Sequence, residues 1–430
     1  MLFNIKYCVG KLLFAGCFTI AGLLFNHAAH AQKDTLNSLQ EFRMRKGLPN
    51  FFKKLKEGKA VTVAYLGGSI TAAQNGWRDQ SYAWFQQQYP QAKVTQVNAG
   101  VGGTGSDLGA FRTGRDVLSH QPDLVFVEFA VNDGGAAAER IYQAMEGIVR
   151  QIWHANERTD ICFVYTLSGP MVPTLQKGEL WPSQLAMEQI AQYYQIPSIQ
   201  FGVKVISLIA ENKLIFQGKP AEYPNQIVFS EDNVHPLAQT GHKLYYEALV
   251  RSMEQIKNNT DGFKHKLGKP YSDANWEDAT MIAVKDLQKT GGWRQITQQD
   301  TAVSGFLKSI PGLYKSNQPG AAIKVKFKGR MAGIYDLIGP TVGQFSVSID
   351  SAAPKLYCRF DKYCTYYHFN YFCLPMMEQG VHEITFTVAA EKPDKMTILK
   401  KGNGVIGDLA KYDENACYPG WLLLIGKLKN

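Results

Sequence analysis

From residue 61 to about 257 the chain alternates short apolar runs with longer amphipathic segments, and no other feature restricts its fold as much. Val61–Leu66, Lys93–Asn98, Leu124–Ala130, Ile161–Leu167 and Ile196–Phe201 read as strands. Ser81–Tyr89, Leu108–Ser119, Ala136–His154, Trp181–Tyr194 and Leu237–Ile256 read as helices. The segment 136–154 is apolar at 141, 144, 145, 148, 149 and 152, the spacing of one helix face. Strand-helix repetition of this kind predicts a parallel sheet with helices on both faces. Val61–Leu66, Leu124–Ala130 and Ile161–Leu167 read as nearly unbroken apolar runs, as a sheet buried on both sides requires.

The period then changes. Asn258–Asn275 is polar, with Gly262, Gly268 and Pro270, and reads as a linker (258–275). Beyond it, Ile323, Val325 and Phe327 alternate with lysines, Phe345, Val347 and Ile349 with serines, and Ile384, Phe386 and Val388 with threonines. Alternation of this kind belongs to half-exposed antiparallel strands, so residues 276–430 are expected to form a β-sandwich. Residues 32–59 read as a lead-in whose lysines and arginines flank Phe51, Phe52 and Leu55, a solvated helix face over an apolar stripe.

The first 31 residues are expected to stand outside the fold. Lys6 and Lys11 precede Leu12–Phe25, an uncharged and mostly apolar stretch of 14 residues. That is the length of a signal-peptide core and short of the roughly 20 residues a membrane span needs. Ala29-His30-Ala31 supplies a small-x-small cleavage site before Gln32. The protein is therefore expected to be secreted or periplasmic, with residues 1–31 removed. Cys17 after Phe14-Ala15-Gly16 has the outline of a lipoprotein box. Phe14 is wrong for that box and the apolar run continues past Cys17, so lipid anchoring is not expected. No later stretch is long and apolar enough to be a membrane span. Forty-six basic against 37 acidic side chains give a mild charge of +9, with no basic-aromatic repeat, which argues against a nucleic-acid partner. Cys162 lies in an apolar run and reads as a buried thiol. Export would allow at least one disulfide among Cys358, Cys364, Cys373 and Cys417. No C-x-x-C is present, so no zinc site is expected.

Four short segments carry chemistry. Gly67-Gly68-Ser69-Ile70-Thr71 follows the first strand and puts a serine where open α/β sheets bind ligands; the plain alternative is a serine N-cap. It is not G-x-S-x-G, which disfavours the α/β-hydrolase elbow. Asn98-Ala99-Gly100-Val101-Gly102-Gly103-Thr104-Gly105 follows the second strand. It contains G-x-G-x-x-G, but a dinucleotide fingerprint belongs after the first strand, and the nearest acid, Glu128, lies inside a strand. Its other use is to bring a bare backbone N–H beside a reacting centre. Ala130-Val131-Asn132-Asp133 ends the third strand with an amide able to donate to an oxyanion, or with an ordinary turn. In Asp232-Asn233-Val234-His235 a carboxylate three residues before a histidine can reach its Nδ1 and leave Nε2 to take a proton. No second His pair accompanies it, so a metal is not expected there. All four fall on loops at one edge of one sheet, and together they supply a nucleophile, a base, its orienter and oxyanion donors.

This set resembles the SGNH/GDSL hydrolases over roughly residues 60–257. In that family successive blocks supply a Ser, a Gly, an Asn and a D-x-x-H. Ser69, Gly103, Asn132, Asp232 and His235 occupy those places, Gly103 rather than Gly102 by counting from Asn98. Gly68 stands where the family usually has Asp, and Ala130 where it usually has Gly. The resemblance implies a flavodoxin-like three-layer α/β/α sandwich, the SGNH hydrolase fold, with the β-sandwich appended. It implies ester hydrolysis by Ser69, His235 and Asp232, with an oxyanion hole of Ser69, Gly103 and Asn132 and with no metal or cofactor. Trp77 and Arg78 are candidates to line the substrate mouth, the alternative being packing and a surface ion pair. Export and the appended sandwich suggest removal of acetyl groups from a carbohydrate; Tyr357, Tyr363, Tyr366, Tyr367 and Tyr371 of the sandwich could stack on sugar rings, although core packing is the commoner use of such residues. The competing expectations are a lipid or short-chain ester substrate, or a non-catalytic glycan binder on a hydrolase fold.

Overall fold

The computed structural model describes residues 36–402, 404 and 406–429. The expected signal peptide, residues 1–31 with Cys17, lies outside the described residues. The chain forms two compact units. The first takes residues up to 106, 120–145 and 156–273; the second takes 107–119, 146–155 and 274–430. No helix among the described residues is long and apolar enough to cross a membrane.

The first unit is built on strands β1 (Phe42–Arg43), β2 (Val61–Gly67), β3 (Val94–Gly100), β4 (Leu124–Glu128), β5 (Asp160–Tyr165) and β6 (Ser198–Gln200). They form one six-stranded sheet in the order β1-β6-β5-β4-β2-β3. All neighbours are parallel except β1, which adds an antiparallel edge to β6. Counted from β2, the parallel strands run 2-1-3-4-5, the flavodoxin-like order, whose direction reverses between β2 and β4. Register places Gly67 opposite both Gly100 and Glu128, so three strands end side by side.

One face of the sheet presents Val61, Val63, Tyr65, Leu124, Phe126, Cys162, Val164 and Ile199 to a single apolar core. Helix α1 (Pro49–Lys56) closes that core with Phe51, Phe52 and Leu55, while Lys53 and Lys56 stay exposed. The residues read as a lead-in are thus, from Phe42 on, an edge strand and a core helix of this unit. Helix α2 (Trp77–Gln88) buries Trp77, Ser81, Trp84 and Phe85, one stripe of a 3.6-residue period. Helix α3 (Gly241–Ile256) buries nine positions at the same spacing. It begins later than the apolar pattern suggests, because the Leu237 N–H bonds back to Phe229 O at 2.8 Å before the helix starts. Ala64, Leu66, Val125, Val127, Ile161 and Phe163 on the opposite face are equally buried, so the sheet is covered on both sides.

In the second unit, β7 (Ala322–Ile338) is a 17-residue strand around which the rest is organised. The sheet has eight strands. Its path is Lys355–Cys358, Gln344–Ile349, Gly380–Val388, β7, Pro419–Leu428 and Ala279–Ala283, and Gln288–Thr290 and His368–Cys373 also pair with β7. Every pairing is antiparallel. The β-sandwich is therefore one continuous sheet that shifts register between Gly329 and Met331 and again between Tyr335 and Asp336. Ile323, Val325 and Phe327 point into its core with Phe345, Val347, Ile384 and Phe386.

The expected disulfide is not formed. Cys358, Cys364 and Cys417 are free thiols, which leaves no bridge among the four, and Cys162 is a free buried thiol as expected. The Cys417 Sγ is turned to Gln344 O at 3.6 Å and the Cys364 Sγ to the Asp361 N–H at 3.3 Å. Each sulfur is packed into its own polar contact rather than against another.

Candidate active site

Ser69 opens a four-residue helix, Ser69–Ala72, directly after β2. The loop is held from below by a carboxylate. Glu128, at the end of β4 and fully buried, accepts the Thr71 hydroxyl at 2.9 Å, the Thr166 hydroxyl at 2.6 Å and the Gly68 N–H. Burial pushes the Glu128 carboxyl up, and these three donors pull it back down, leaving a net rise. A carboxylate so enclosed is not available to a nucleotide ribose.

The glycine-rich segment after β3 is tied to the first loop by Val101 N–H donating to Gly67 O at 3.0 Å. A Cβ on Gly102 would lie 3.7 Å from Ser69 Cβ, which puts this segment beside the serine. Gly103 follows with φ +70° and open space around it, a conformation that favours glycine.

Asn132, beyond β4, lies against the first loop. A Cβ on Gly68 would sit 2.0 Å from Asn132 Oδ1, so glycine at 68 is what admits the amide. The neighbouring Asp133 accepts the Ser106 N–H at 3.0 Å.

The last segment follows strand Ile227–Ser230. Asn233 takes φ +71°, and the tight turn brings Asp232 onto its own histidine. Asp232 Oδ1 accepts the N–H groups of Val234 and His235 at 2.9 and 2.7 Å and the Ser230 hydroxyl at 3.0 Å. Its Oδ2 lies 2.6 Å from His235 Nδ1, and His235 Nε2 lies 2.8 Å from Ser69 Oγ. Partial burial acts to raise the Asp232 pKa. The imidazole and the three donors on Oδ1 outweigh it and hold the carboxyl well below the usual carboxylate range. The Asp232 and His235 side chains are 55% and 51% exposed, so the group sits on an open ledge.

The structure thus brings Ser69, His235 and Asp232 into one hydrogen-bonded chain, with Asn132 and the Gly102-Gly103 segment against the serine loop. It does not bring Trp77 and Arg78 to the mouth. Trp77 is fully buried, edge-on to Tyr65, Phe126 and Phe201. Arg78 is buried too, donating to Thr71 O at 3.0 Å and pairing with Asp79 and Gln96. Packing and an ion pair claim both. His242, another histidine close in sequence, is also buried; its Nδ1 accepts the Trp77 N–H at 3.2 Å, and burial pushes its pKa down to about 4.

Two residues escaped the sequence reading. Glu128 stood out only as a lone carboxylate inside an apolar strand. Trp181 sits half-buried, its indole N–H 3.4 Å from Gly134 O, two residues beyond Asn132. Nothing in the sequence joins positions 134 and 181.

Residues 65–244 match the GDSL-like Lipase/Acylhydrolase family. No curated protein matches the chain. Among solved structures the chain is similar to a two-domain esterase (CEX) active on acetylated mannans, at a TM-score of 0.69 and 19% identity over 92% of this chain and 98% of that one. It is similar also to the same esterase co-crystallised with mannopentaose, at a TM-score of 0.68 and 18% identity over 92% and 97%. At such identity the likeness is one of fold, and it extends over both units.

Proposed function

Because residues 65–244 match the GDSL-like lipase/acylhydrolase family, we propose that the chain is an exported serine esterase that removes acetyl groups from a polysaccharide or oligosaccharide. The observation that carries the reading is the relay Ser69 Oγ–His235 Nε2–Asp232, at 2.8 and 2.6 Å, between the loop after β2 and the loop after Ile227–Ser230, a strand of a separate two-stranded sheet. His235 takes the Ser69 proton as Oγ attacks the ester carbonyl. Asp232 holds the Nδ1 proton and stabilises the imidazolium that forms. The N–H groups of Ser69 and Gly103 and the amide of Asn132 receive the oxyanion. The alcohol leaves with the proton from His235, and the same imidazole then activates water against the acyl-enzyme.

The carbohydrate assignment is supported by the fold shared with the mannan esterase and by the small, polar loop residues around Ser69. Export is read from the signal-like segment 1–31 and is tested by the N-terminus of the processed protein, expected at Gln32.

The enzyme reading is tested with a fluorophosphonate probe and with acetylated mannan and xylan. Labelling is expected at Ser69, and acetate release is expected to disappear in Ser69→Ala while the fold is retained. Absence of labelling in the wild type would make the chain a glycan binder on a hydrolase fold.

A further inference from the structure

A second constellation lies in the other unit, on the loop between strands Lys355–Cys358 and His368–Cys373. Asp361, Cys364 and His368 each turn a ligand-type atom inward, and the three atoms lie within 4.8 Å of one another. We propose that these residues form a site for a divalent transition-metal ion, zinc first, which clamps the loop 359–367. None of them takes part in the ester chemistry proposed above, and the inference does not depend on it.

Three observations point to an ion. The first is the donor set. Thiolate, imidazole and carboxylate together suit a borderline-soft ion such as Zn²⁺ and are poor for calcium or magnesium, which take oxygen ligands.

The second is spacing. His368 Nε2 lies 3.2 Å from Asp361 Oδ2. Bonds of about 2.0–2.2 Å to zinc set neighbouring N and O ligands of a tetrahedron roughly 3.3 Å apart. The pair therefore needs almost no rearrangement to accept an ion.

The third is the orientation of the ring. His368 Nδ1 faces Tyr366 O at 3.3 Å, a backbone acceptor. Nε2 in turn faces Asp361 Oδ2, so with its hydrogen on Nδ1 the ring would offer Nε2 to an ion held beside the carboxylate. This is how a metal-ligating histidine is oriented, its other N–H held by a carbonyl. The carboxylate is fixed as well: its Oδ1 accepts the Tyr363 N–H at 2.8 Å, while Oδ2 faces His368 Nε2 at 3.2 Å and the Asn370 amide at 3.5 Å. Cys364 is buried, with the Asp361 N–H 3.3 Å from its sulfur, the kind of donor that stabilises a thiolate once formed.

Three protein ligands leave a fourth position for water. The loop so fastened carries Tyr363 and Tyr366, which are 51% and 58% exposed and add no core packing to hold it. An ion there would do what the missing disulfide was expected to do: fix a long connection in an exported β-domain.

The test uses the full chain, stripped with a chelator and titrated with Co²⁺ alone. One equivalent is expected to give strong tetrahedral d–d bands and a thiolate-to-cobalt charge-transfer band, both bleached by one equivalent of Zn²⁺. Cys364→Ser should abolish the charge-transfer band, and Cys358→Ser, on the neighbouring exposed thiol, should leave it intact. Absence of the band in the wild type, or its survival in Cys364→Ser, overturns the site. Cobalt held at other histidines would show no sulfur band and counts against it too. Should Cys364→Ser not fold, His368→Gln reads the same property: Co²⁺ affinity is expected to fall roughly tenfold or more, and unchanged affinity overturns the proposal.

Discussion

Asn132 and His242 show how differently two polar side chains near one loop edge are used. Asn132 lies against Gly68 with little else asked of it, so its amide is available to a developing negative charge. Asn132→Ala is expected to lower kcat by about 10²–10³ with little change in KM, the loss of one oxyanion donor. A change confined to KM, measured on a nitrophenyl acetate, would make it a substrate-binding residue instead. His242 is committed to the Trp77 N–H and is held neutral by burial, then by the nearby His235. Its folded pKa of about 4 lies below the unfolded value of about 6.5. As pH falls through that window the unfolded chain takes up a proton that the folded one refuses, so stability declines, by on the order of 3 kcal/mol at full extent, and levels off below the folded pKa. His242→Gln keeps an acceptor but cannot charge. Urea midpoints should show the variant less stable near pH 7 and the gap to wild type narrowing near pH 4.5; a gap that widens on acidification contradicts the assignment.

The strands legible as unbroken apolar runs are those whose burial is uniform. β2, β4 and β5 are covered on both faces, so their apolar runs are unbroken. β1 is two residues long and carries no period at all. β7 was legible only to Phe327, because beyond Arg330 every position is buried and the alternation that marks a half-exposed strand vanishes. The site was legible as residue types on successive loops and not as contacts between them. That Gly68 is needed for Asn132, and that Glu128 holds Gly68, Thr71 and Thr166 together, depends on strands that end side by side. Glycine at 68 in place of the family's usual aspartate follows from that packing: any side chain would enter the space of Asn132 Oδ1. Gly68→Ala is therefore expected to displace the amide and reduce kcat at least as far as Asn132→Ala, while the thermal midpoint moves little. If Gly68→Ala and Asn132→Ala combine additively, the two positions do not act through the same contact and this account of residue 68 fails.

At the scale of the whole molecule, the open setting of the serine decides which acyl groups it suits. A long-chain esterase gains about 0.8 kcal/mol for each CH₂ it buries and so needs an apolar trough beside the nucleophile. Met171, Val172 and Leu175, in the segment after β5, are the aliphatic residues that could supply one, and Val172 is partly buried against the apolar core. Met171 and Leu175 are 2% and 1% exposed and belong to the core under the sheet, so they have no free surface to offer. Around Ser69 the chain instead presents Ala72, Ala73, Gln74 and Asn75, the glycines after β3, and Gly134 and Gly135, none of which builds an apolar wall. Trp181, half-buried beside Gly134, has its N–H already turned to a carbonyl. Such a ledge has room for an acetyl group and leaves a longer chain in water, where each added methylene contributes nothing to binding the transition state. Across nitrophenyl esters from C2 to C12, kcat/KM is expected to be highest at C2 and to fall steadily. A maximum at C8 or beyond would require a trough that the buried positions of Met171 and Leu175 do not provide, and would turn the assignment from acetylated carbohydrate to lipid.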